Sequence, residues 1–306
     1  MVKFGSMDAP LFSFDSLSPD CSCADFLLAY SMLARREQRG FARVAWVCEK
    51  WRDYFGDRPV SSLTRPDISR YIDFRRMHGL SNSSINREIS VLSAAINYAV
   101  KRWGWNISNP VSGLYLKMPE GRTRWLTREE ASRLLSVARE SRAIHLHDFI
   151  RLALNTGMRR GEMLRLEWRR VDFTAKRILL EGIHTKNGKR RYVPLNRTAL
   201  DALRSRLHFR DQKVPGSPWV FLQKNGKPVL QVGFAFRQAL EKAGIEDFHI
   251  HDMRHTFASW LVQEGVPLSE LRDLLGHSSI TQTERYAHLA PGGLHKAVQI
   301  LDDFLA

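Results

Sequence analysis

Two stretches decide how this chain is read: Thr156-Gly157-Met158-Arg159-Arg160-Gly161-Glu162 and His251-Asp252-Met253-Arg254-His255. In the first, a glycine turn runs into a helix start whose first turn holds two arginines and a glutamate. Helix N-termini expose N–H groups and favour anions. The planar guanidinium fork grips a phosphate through two parallel bonds. The stretch lacks the Gly-x-x-x-x-Gly-Lys-Ser/Thr order of a nucleotide-phosphate loop. Alone, it also fits an ordinary Arg–Glu surface helix. In the second stretch, His251 and Arg254 stand three apart on an expected helix and share a face. A neutral imidazole there can bond one oxygen while the guanidinium holds another. His251 and His255 have a zinc-chelating spacing. A zinc hydrolase helix carries Glu directly after the first His, however, where this chain has Asp252, and no further ligand stands out beyond His249 or His277. No metal site is expected.

Three more features lie around these stretches. Lys186 sits in the turn His184-Thr185-Lys186-Asn187-Gly188-Lys189-Arg190. A lysine at a hairpin tip is normally solvated, but it can reach into a groove and offer a proton, since neighbouring cations lower an ammonium's pKa. Leu275-Gly276-His277 reads as a helix end, and Tyr286 follows in Arg285-Tyr286-Ala287-His288. Taken singly, each has an ordinary structural explanation.

Composition sets the frame. The chain has 306 residues, enough for two domains, and 43% are apolar, enough for sizeable cores. That content excludes a wholly disordered chain. Three cysteines are too few for a disulfide scaffold. Cys21 and Cys23 read as ordinary thiols, because a zinc site wants four ligands. No apolar run approaches the roughly 20 residues of a membrane helix. The opening residues lack a signal peptide's apolar segment, so a cytoplasmic or nucleoid location is expected. Lys+Arg outnumber Asp+Glu by 47 to 32, a net charge of +15. Such an excess points to a polyanionic partner, most often nucleic acid. Residues 24–118 and 119–306 are both net basic, the first 23 are not, and the densest basic stretch is 151–191.

Periodicity then gives the organisation. Residues 1–23 read as a tail. Apolar stripes at Phe26, Leu27, Tyr30 and Leu33, at Val44, Val47, Trp51, Tyr54 and Phe55, and from Ile85 through Ile89, Leu92, Ile96 and Ala99 to Trp103 each fit one face of a helix. Thr64 and Asp67 open another over 65–77. The expected result is a small all-α domain over 24–118, with Arg75, Arg76, Arg87, Lys101 and Arg102 available for phosphates. Residues 104–124 lack a period and read as a linker. Thr127 and Glu130 form a capping box that opens the second domain over 119–290. Its expected helices span 128–140, 145–156, 160–168, 198–209, 231–243, 251–264, 268–275 and 280–286. Expected strands are 177–181 and 191–195 around the Asn187-Gly188 turn, with a third at 219–222. A last amphipathic helix within 291–306 presents Leu294, Val298, Leu301, Phe304 and Leu305.

Arg159, Lys186, His251-x-x-Arg254, His277 and Tyr286, in that order, resemble the catalytic domain of the tyrosine recombinases, or phage integrases. The first domain is similar to the family's helical core-binding domain, notably from Asn86-Arg87-Glu88 through Asn97-Tyr98-Ala99 to Asn109-Pro110. The resemblance implies a mostly α fold with a small antiparallel β-sheet, arranged as a two-lobed DNA clamp. It implies site-specific strand exchange in which Tyr286 attacks a DNA phosphodiester, forms a 3′-phosphotyrosine and frees a 5′-hydroxyl. Arg159 and Arg254 would clamp the non-bridging oxygens, Lys186 would protonate the leaving oxygen, and His277 would bond a phosphate oxygen. His251 would partner the Tyr286 hydroxyl, and Glu162 would orient His251 or the arginines. Arg160, Lys189 and Arg190 would add DNA contacts. No metal or other cofactor is implied. The implied partners are double-stranded DNA carrying a recombination site, three further copies of this chain assembling on it from free monomers, and DNA-bending accessory factors. The 291–306 helix would pass to a neighbouring copy. Rival readings are a type IB topoisomerase-like enzyme, a non-catalytic DNA-binding regulator using a helix-turn-helix outline over 268–288, and a metallohydrolase.

Overall fold

The structure, a computed structural model, describes residues 17–37, 40–118, 124–182, 188–291 and 298. The chain divides into two compact units, Met1–Gly121 and Arg122–Ala306.

In the first unit the described residues form four helices: α1 (Cys23–Glu37), α2 (Phe41–Phe55), α3 (Arg65–Met77) and α4 (Asn82–Arg102). Each predicted stripe faces inward. Phe26, Trp51, Ile68, Tyr71, Ile85, Ile89 and Ile96 are all buried, with Trp51 and Tyr71 stacked at 3.7 Å between ring centroids. Thr64 caps α3 through the expected box with Asp67, and the Arg58 guanidinium bound to that carboxylate holds its pKa well below the usual range. Trp51 Nε1 donates to the Glu88 carbonyl at 2.9 Å, locking α2 to α4.

Two expectations change here. Arg75 is no free phosphate ligand. Its Nε and Nη2 each donate to the buried Glu88 carboxylate at 2.8 Å, and Tyr71 donates to the same group. A buried carboxylate needs such partners, since leaving it alone in a low-dielectric interior is costly. Arg87, Lys101 and Arg102 are exposed, and Arg76 is half exposed beside Asp73. The stretch read as a linker also begins later than expected. Trp105 and Val111 are buried in the first core, and Asn86 receives the Leu116 amide and returns a bond to its carbonyl. The three asparagines of the first-domain resemblance are structural: Asn109 Nδ2 donates to Ser93 and to the Asn97 side-chain oxygen.

The second unit is helical around a three-stranded antiparallel sheet. It contains α5 (Arg128–Arg139), α6 (Leu146–Thr156), α7 (Arg160–Leu164), β1 (Val171–Asp172), β2 (Arg177–Leu180), β3 (Arg191–Pro194), α8 (Arg197–Lys213), α9 (Gly233–Lys242), α10 (Asp252–Gln263), α11 (Leu268–Leu275) and α12 (Thr281–Glu284). The strand order is β1-β2-β3, with Val171 opposite Ile178 and Leu180 opposite Arg191. Ile178, Leu180 and Val193 point into the same core as Leu134, Phe149 and Phe221. The capping box of Thr127 and Glu130 opens α5 as expected. The strand expected at 219–222 does not join the sheet. Trp219 and Leu222 make only isolated bridges, to Glu167 and Pro228. Strand β1 was not anticipated, because two residues carry no readable alternation. Lys186, the 1–16 stretch and the 291–306 helix beyond Pro291, apart from Val298, lie outside the described residues.

Candidate active site

Helix α10 is central to the site. It carries His251 at its N-cap, Arg254 and His255, and is anchored by Thr256, whose hydroxyl donates to the Asp252 carbonyl and accepts the Leu126 amide. Arg254 is buried, at 4% exposure. Its Nη1 donates to the Gly157 carbonyl at 2.7 Å and its Nη2 to the Leu275 carbonyl at 2.6 Å. These carbonyls lie at the C-terminal ends of α6 and α11, where the helix dipole and unpaired C=O groups favour a cation. Burial and then Arg159 pull the Arg254 pKa down to about 9, still protonated at neutral pH. Two of the five guanidinium N–H donors are engaged, which leaves donors for an oxyanion.

Both helix ends depend on a glycine. Gly157 has φ +59°, and a Cβ there would stand 2.4 Å from a Phe257 ring carbon. Gly276 has φ +63°, and its Cβ would stand 2.6 Å from Arg191 Cδ. Only glycine adopts the left-handed turn and tolerates the close approach. The glycines of the two motifs therefore shape the carbonyl seat of Arg254.

Arg159 stands at the N-cap of α7. Its amide donates to Glu162 Oε2 at 2.9 Å and its Nη1 to Oε1 at 3.1 Å. The same carboxylate receives both terminal nitrogens of Arg191, at 3.0 and 2.7 Å. Glu162 thus binds two arginines, and Arg191 is a partner that sequence reasoning missed. Burial of Glu162 opposes its ionisation, but Arg191 and Arg159 together hold its pKa below the ordinary carboxylate value. Arg191 opens β3, one residue beyond the run marked for DNA contact. Its position as the first residue of that strand, an inward site carrying a charge, was the available signal. Arg160 and Lys189 are exposed, and Arg190 donates to the Tyr192 hydroxyl at 2.7 Å.

Arg159, Arg254, Arg285, His251, His255, His277 and Tyr286 line a cavity of about 490 Å³, with no carboxylate on its wall among the described residues. His277 is fixed by a 2.9 Å contact from Nδ1 to the buried Thr283 hydroxyl. Burial, then Arg254 and Arg159, lower its pKa to about 4. His251 is lowered in the same direction, by desolvation first and then by Arg254. The imidazoles are therefore neutral at pH 7 and can donate or accept. Tyr286 is 5% exposed, packed with Ala258, Val262, Leu271 and Leu275. Burial raises its pKa against the pull of Arg285 and Arg254, so the resting phenol keeps its proton. Its hydroxyl meets His255 Nδ1 at 2.5 Å, not His251. The difference is one of register: His255 lies one turn further along the helix, towards the α11–α12 segment that delivers Tyr286.

The arrangement provides a phenolic hydroxyl, fixed cations and neutral imidazoles around a space that can hold a phosphate. Among the described residues, no group of three or more His, Cys, Asp or Glu could hold a metal ion, and no helix is long and apolar enough to cross a membrane.

The chain has relatives among known proteins. Residues 124–292 match the model of the phage integrase family. The integrase of Salmonella phage P22 is 34% identical over 230 residues, 70% of this chain and 56% of that protein, so the chain spans little more than half of that relative's length. Among solved structures, the Tn1549 transposon integrase in complex with transposon right-end DNA superposes with a TM-score of 0.75 at 22% identity, covering 93% of this chain and all (100%) of that one. A lambda integrase tetramer bound to a Holliday junction gives 0.71 at 20% identity, over 87% of this chain and 77% of that one.

Proposed function

This chain belongs to the phage integrase family, and on that footing we propose that it is a site-specific DNA recombinase that cleaves and rejoins DNA through Tyr286. The observation that carries the reading is the placement of the Tyr286 hydroxyl on the wall of a cavity furnished with Arg159, Arg254 and His277. Direct transfer at a phosphodiester needs a nucleophile, stabilisation of charge on the non-bridging oxygens and an acid for the leaving oxygen. Tyr286 gives up its phenolic proton to solvent as it attacks the scissile phosphorus, the Oη–P bond forms and the bond to the 5′-oxygen breaks. Arg159 and Arg254 hold the non-bridging oxygens where charge rises. Their settings, one locked by Glu162 and the other by two helix ends, are preorganised and need no rearrangement. Lys186 supplies the proton to the 5′-oxygen, and His277 adds a bond to the phosphate. The phosphotyrosine retains the bond energy, so religation to a partner strand needs no ATP.

The substrate is double-stranded DNA carrying a recombination site. Residues 24–118 serve as a core-type DNA-binding domain through Arg76, Arg87, Lys101 and Arg102, and 119–290 as the catalytic domain with Arg160, Lys189 and Arg190 on its DNA-facing surface. Exchange of four strands calls for four copies of the chain on two duplexes, with 291–306 making the contact between copies. The lambda integrase tetramer on a Holliday junction supports that assembly.

The test is covalent trapping. A duplex bearing the recombination site, nicked beside the cleavage position, is expected to give a denaturation-resistant DNA adduct. Tyr286→Phe is expected to abolish the adduct and keep gel-shift binding. An adduct that persists in Tyr286→Phe removes the nucleophile and the reading with it.

A further inference from the structure

The mechanism above leaves His255 without a role, yet it is the side chain that touches the reacting hydroxyl. Its Nδ1 lies 2.5 Å from Tyr286 Oη, the distance of a short hydrogen bond. Its backbone is held on α10 between Arg254, seated on two helix ends, and Thr256, which is fully buried and bonded on both sides. His251 packs edge-on against it at 5.2 Å between ring centroids. A second, small cavity brings Trp125, Arg285 and His288 to the same imidazole. His255 is therefore better fixed than a surface histidine, and it acts on a phenol whose ring is clamped by Ala258, Val262, Leu271 and Leu275. Packing fixes the ring but not the rotation of the hydroxyl hydrogen.

We propose that His255, not His251, is the positioning residue for the nucleophile: its bare Nδ1 accepts the phenolic hydrogen and so turns an oxygen lone pair of Tyr286 toward the phosphate held by Arg159 and Arg254. The inference rests on Tyr286 being the nucleophile. The charged and titratable groups around His255 agree with an acceptor. His251, Asp252 and Arg254 lie on its own helix, and Arg285, Tyr286 and His288 on the segment after α12. Burial first, then His251, Arg285 and Arg254, lower its pKa to about 4, against Asp252. The ring is therefore neutral at pH 7 and one of its nitrogens carries a lone pair. The phenol keeps its proton and so can donate, and the proposal takes the tautomer in which Nε2 carries the ring hydrogen and Nδ1 accepts. So weak a base is a poor resting place for a proton but a sound orienting partner, which is why the role is positioning rather than proton abstraction.

The experiment compares two substitutions by adduct formation on the nicked duplex at saturating DNA. His255→Asn keeps a hydrogen-bonding atom close to the position of Nδ1, and His255→Ala removes it. The wild-type protein and Tyr286→Phe are run beside them, so that failure of the nucleophile assignment shows separately. The Ala variant is expected to form the adduct on the order of 10–100-fold more slowly, with unchanged gel-shift affinity, as loss of orientation requires. The Asn variant is expected to stay within about 5-fold of wild type, a loss no larger than the net worth of one hydrogen bond. An Ala variant as fast as wild type, or an Asn variant as slow as Ala with DNA binding intact, overturns the proposal. Imidazole nitrogen-15 shifts of the DNA-free protein give an independent reading. The neutral Nε2-protonated form with an accepting Nδ1 is expected, and the Nδ1 shift is expected to move in Tyr286→Phe. A ring protonated at Nδ1 overturns the proposal as well.

Discussion

At the scale of the residue, the site depends on how buried charges are paired. Glu162 is 3% exposed and is shared by Arg159 and Arg191. One carboxylate holding two guanidinium groups fixes Arg159 without neutralising it, which a phosphate ligand requires. Arg191→Ala would leave Glu162 buried with only its Arg159 contacts. Breaking a buried pair costs about 3–5 kcal/mol, and the surviving Arg159 contacts reduce that to about 2–3 kcal/mol. Urea denaturation is expected to show that loss, together with slower adduct formation as Arg159 is drawn further onto Glu162. Arg191→Lys is expected to recover little of either, since a point ammonium does not reproduce the two-bond fork. A stability change below about 0.5 kcal/mol would place Arg191 among ordinary surface residues. The residues that act on the phosphodiester in the proposed reaction are legible in the sequence because their chemistry is carried by type and order: Arg159, Lys186, Arg254, His277, Tyr286. Of the residues that hold them, Glu162 was legible in the same motif, and Arg191 and His255 were not. Arg191 and His255 act through contacts with residues 29 and 31 positions away, and no local spacing encodes those contacts.

At the scale of the element, the first unit shows where periodicity succeeds and where it misassigns a side chain. The stripes along α1, α2 and α4 and the caps at Thr64 and Thr127 predict helices because burial and capping are local, repeating signals. The same pattern is silent about which polar residue on the inner face takes a partner. Arg75 and Glu88, on α3 and α4, form a forked ion pair inside the bundle, with side-chain exposures of 14% and 3%. Arg75→Ala is therefore expected to destabilise the first unit by about 2–3 kcal/mol, because it leaves the buried Glu88 carboxylate with the Tyr71 hydroxyl but without its ion pair. DNA affinity measured on the folded fraction is expected to stay unchanged. Arg87→Ala, at an exposed site, is expected to show the reverse. Thermal melts paired with gel shifts separate the two, and a stable Arg75→Ala protein with weakened DNA binding would restore Arg75 as a phosphate contact. In the second unit the errors share one cause. The helix expected to run to 168 stops at Leu164, because the main chain beyond it pairs with a segment about fifty residues away: Trp168 donates to the Pro218 carbonyl and Val220 to that of Leu166. Those bonds also hold 219–222 away from the sheet. The helix expected over 280–286 stops at Glu284, where Thr283 and Tyr286 turn inward to His277 and His255. Helix propensity cannot anticipate either event, since both are settled by distant partners.

At the scale of the whole molecule, the net charge of +15 is carried by both compact units, and the cavity within the second concentrates cations without a facing carboxylate. A protein built this way draws most of its DNA affinity from phosphate contacts and the counterions they release. With exposed arginines and lysines on each unit, about 6–10 phosphate contacts are expected, and affinity should fall by roughly 10³–10⁵ between 50 and 200 mM salt. Each unit should contribute its own share of that slope. Paired removal of Arg87 and Lys101 in the first unit, or of Arg160 and Arg190 in the second, should lower the slope by about 1–2. Tyr286→Phe should leave it intact, because a phenol at a phosphorus adds no charge to the interface. Equilibrium binding across a salt series measures all of this. A flat response would mean that base contacts or apolar surface dominate recognition. A slope altered by only one of the two pairs would confine the DNA interface to one unit, leaving the charge on the other without a part in binding.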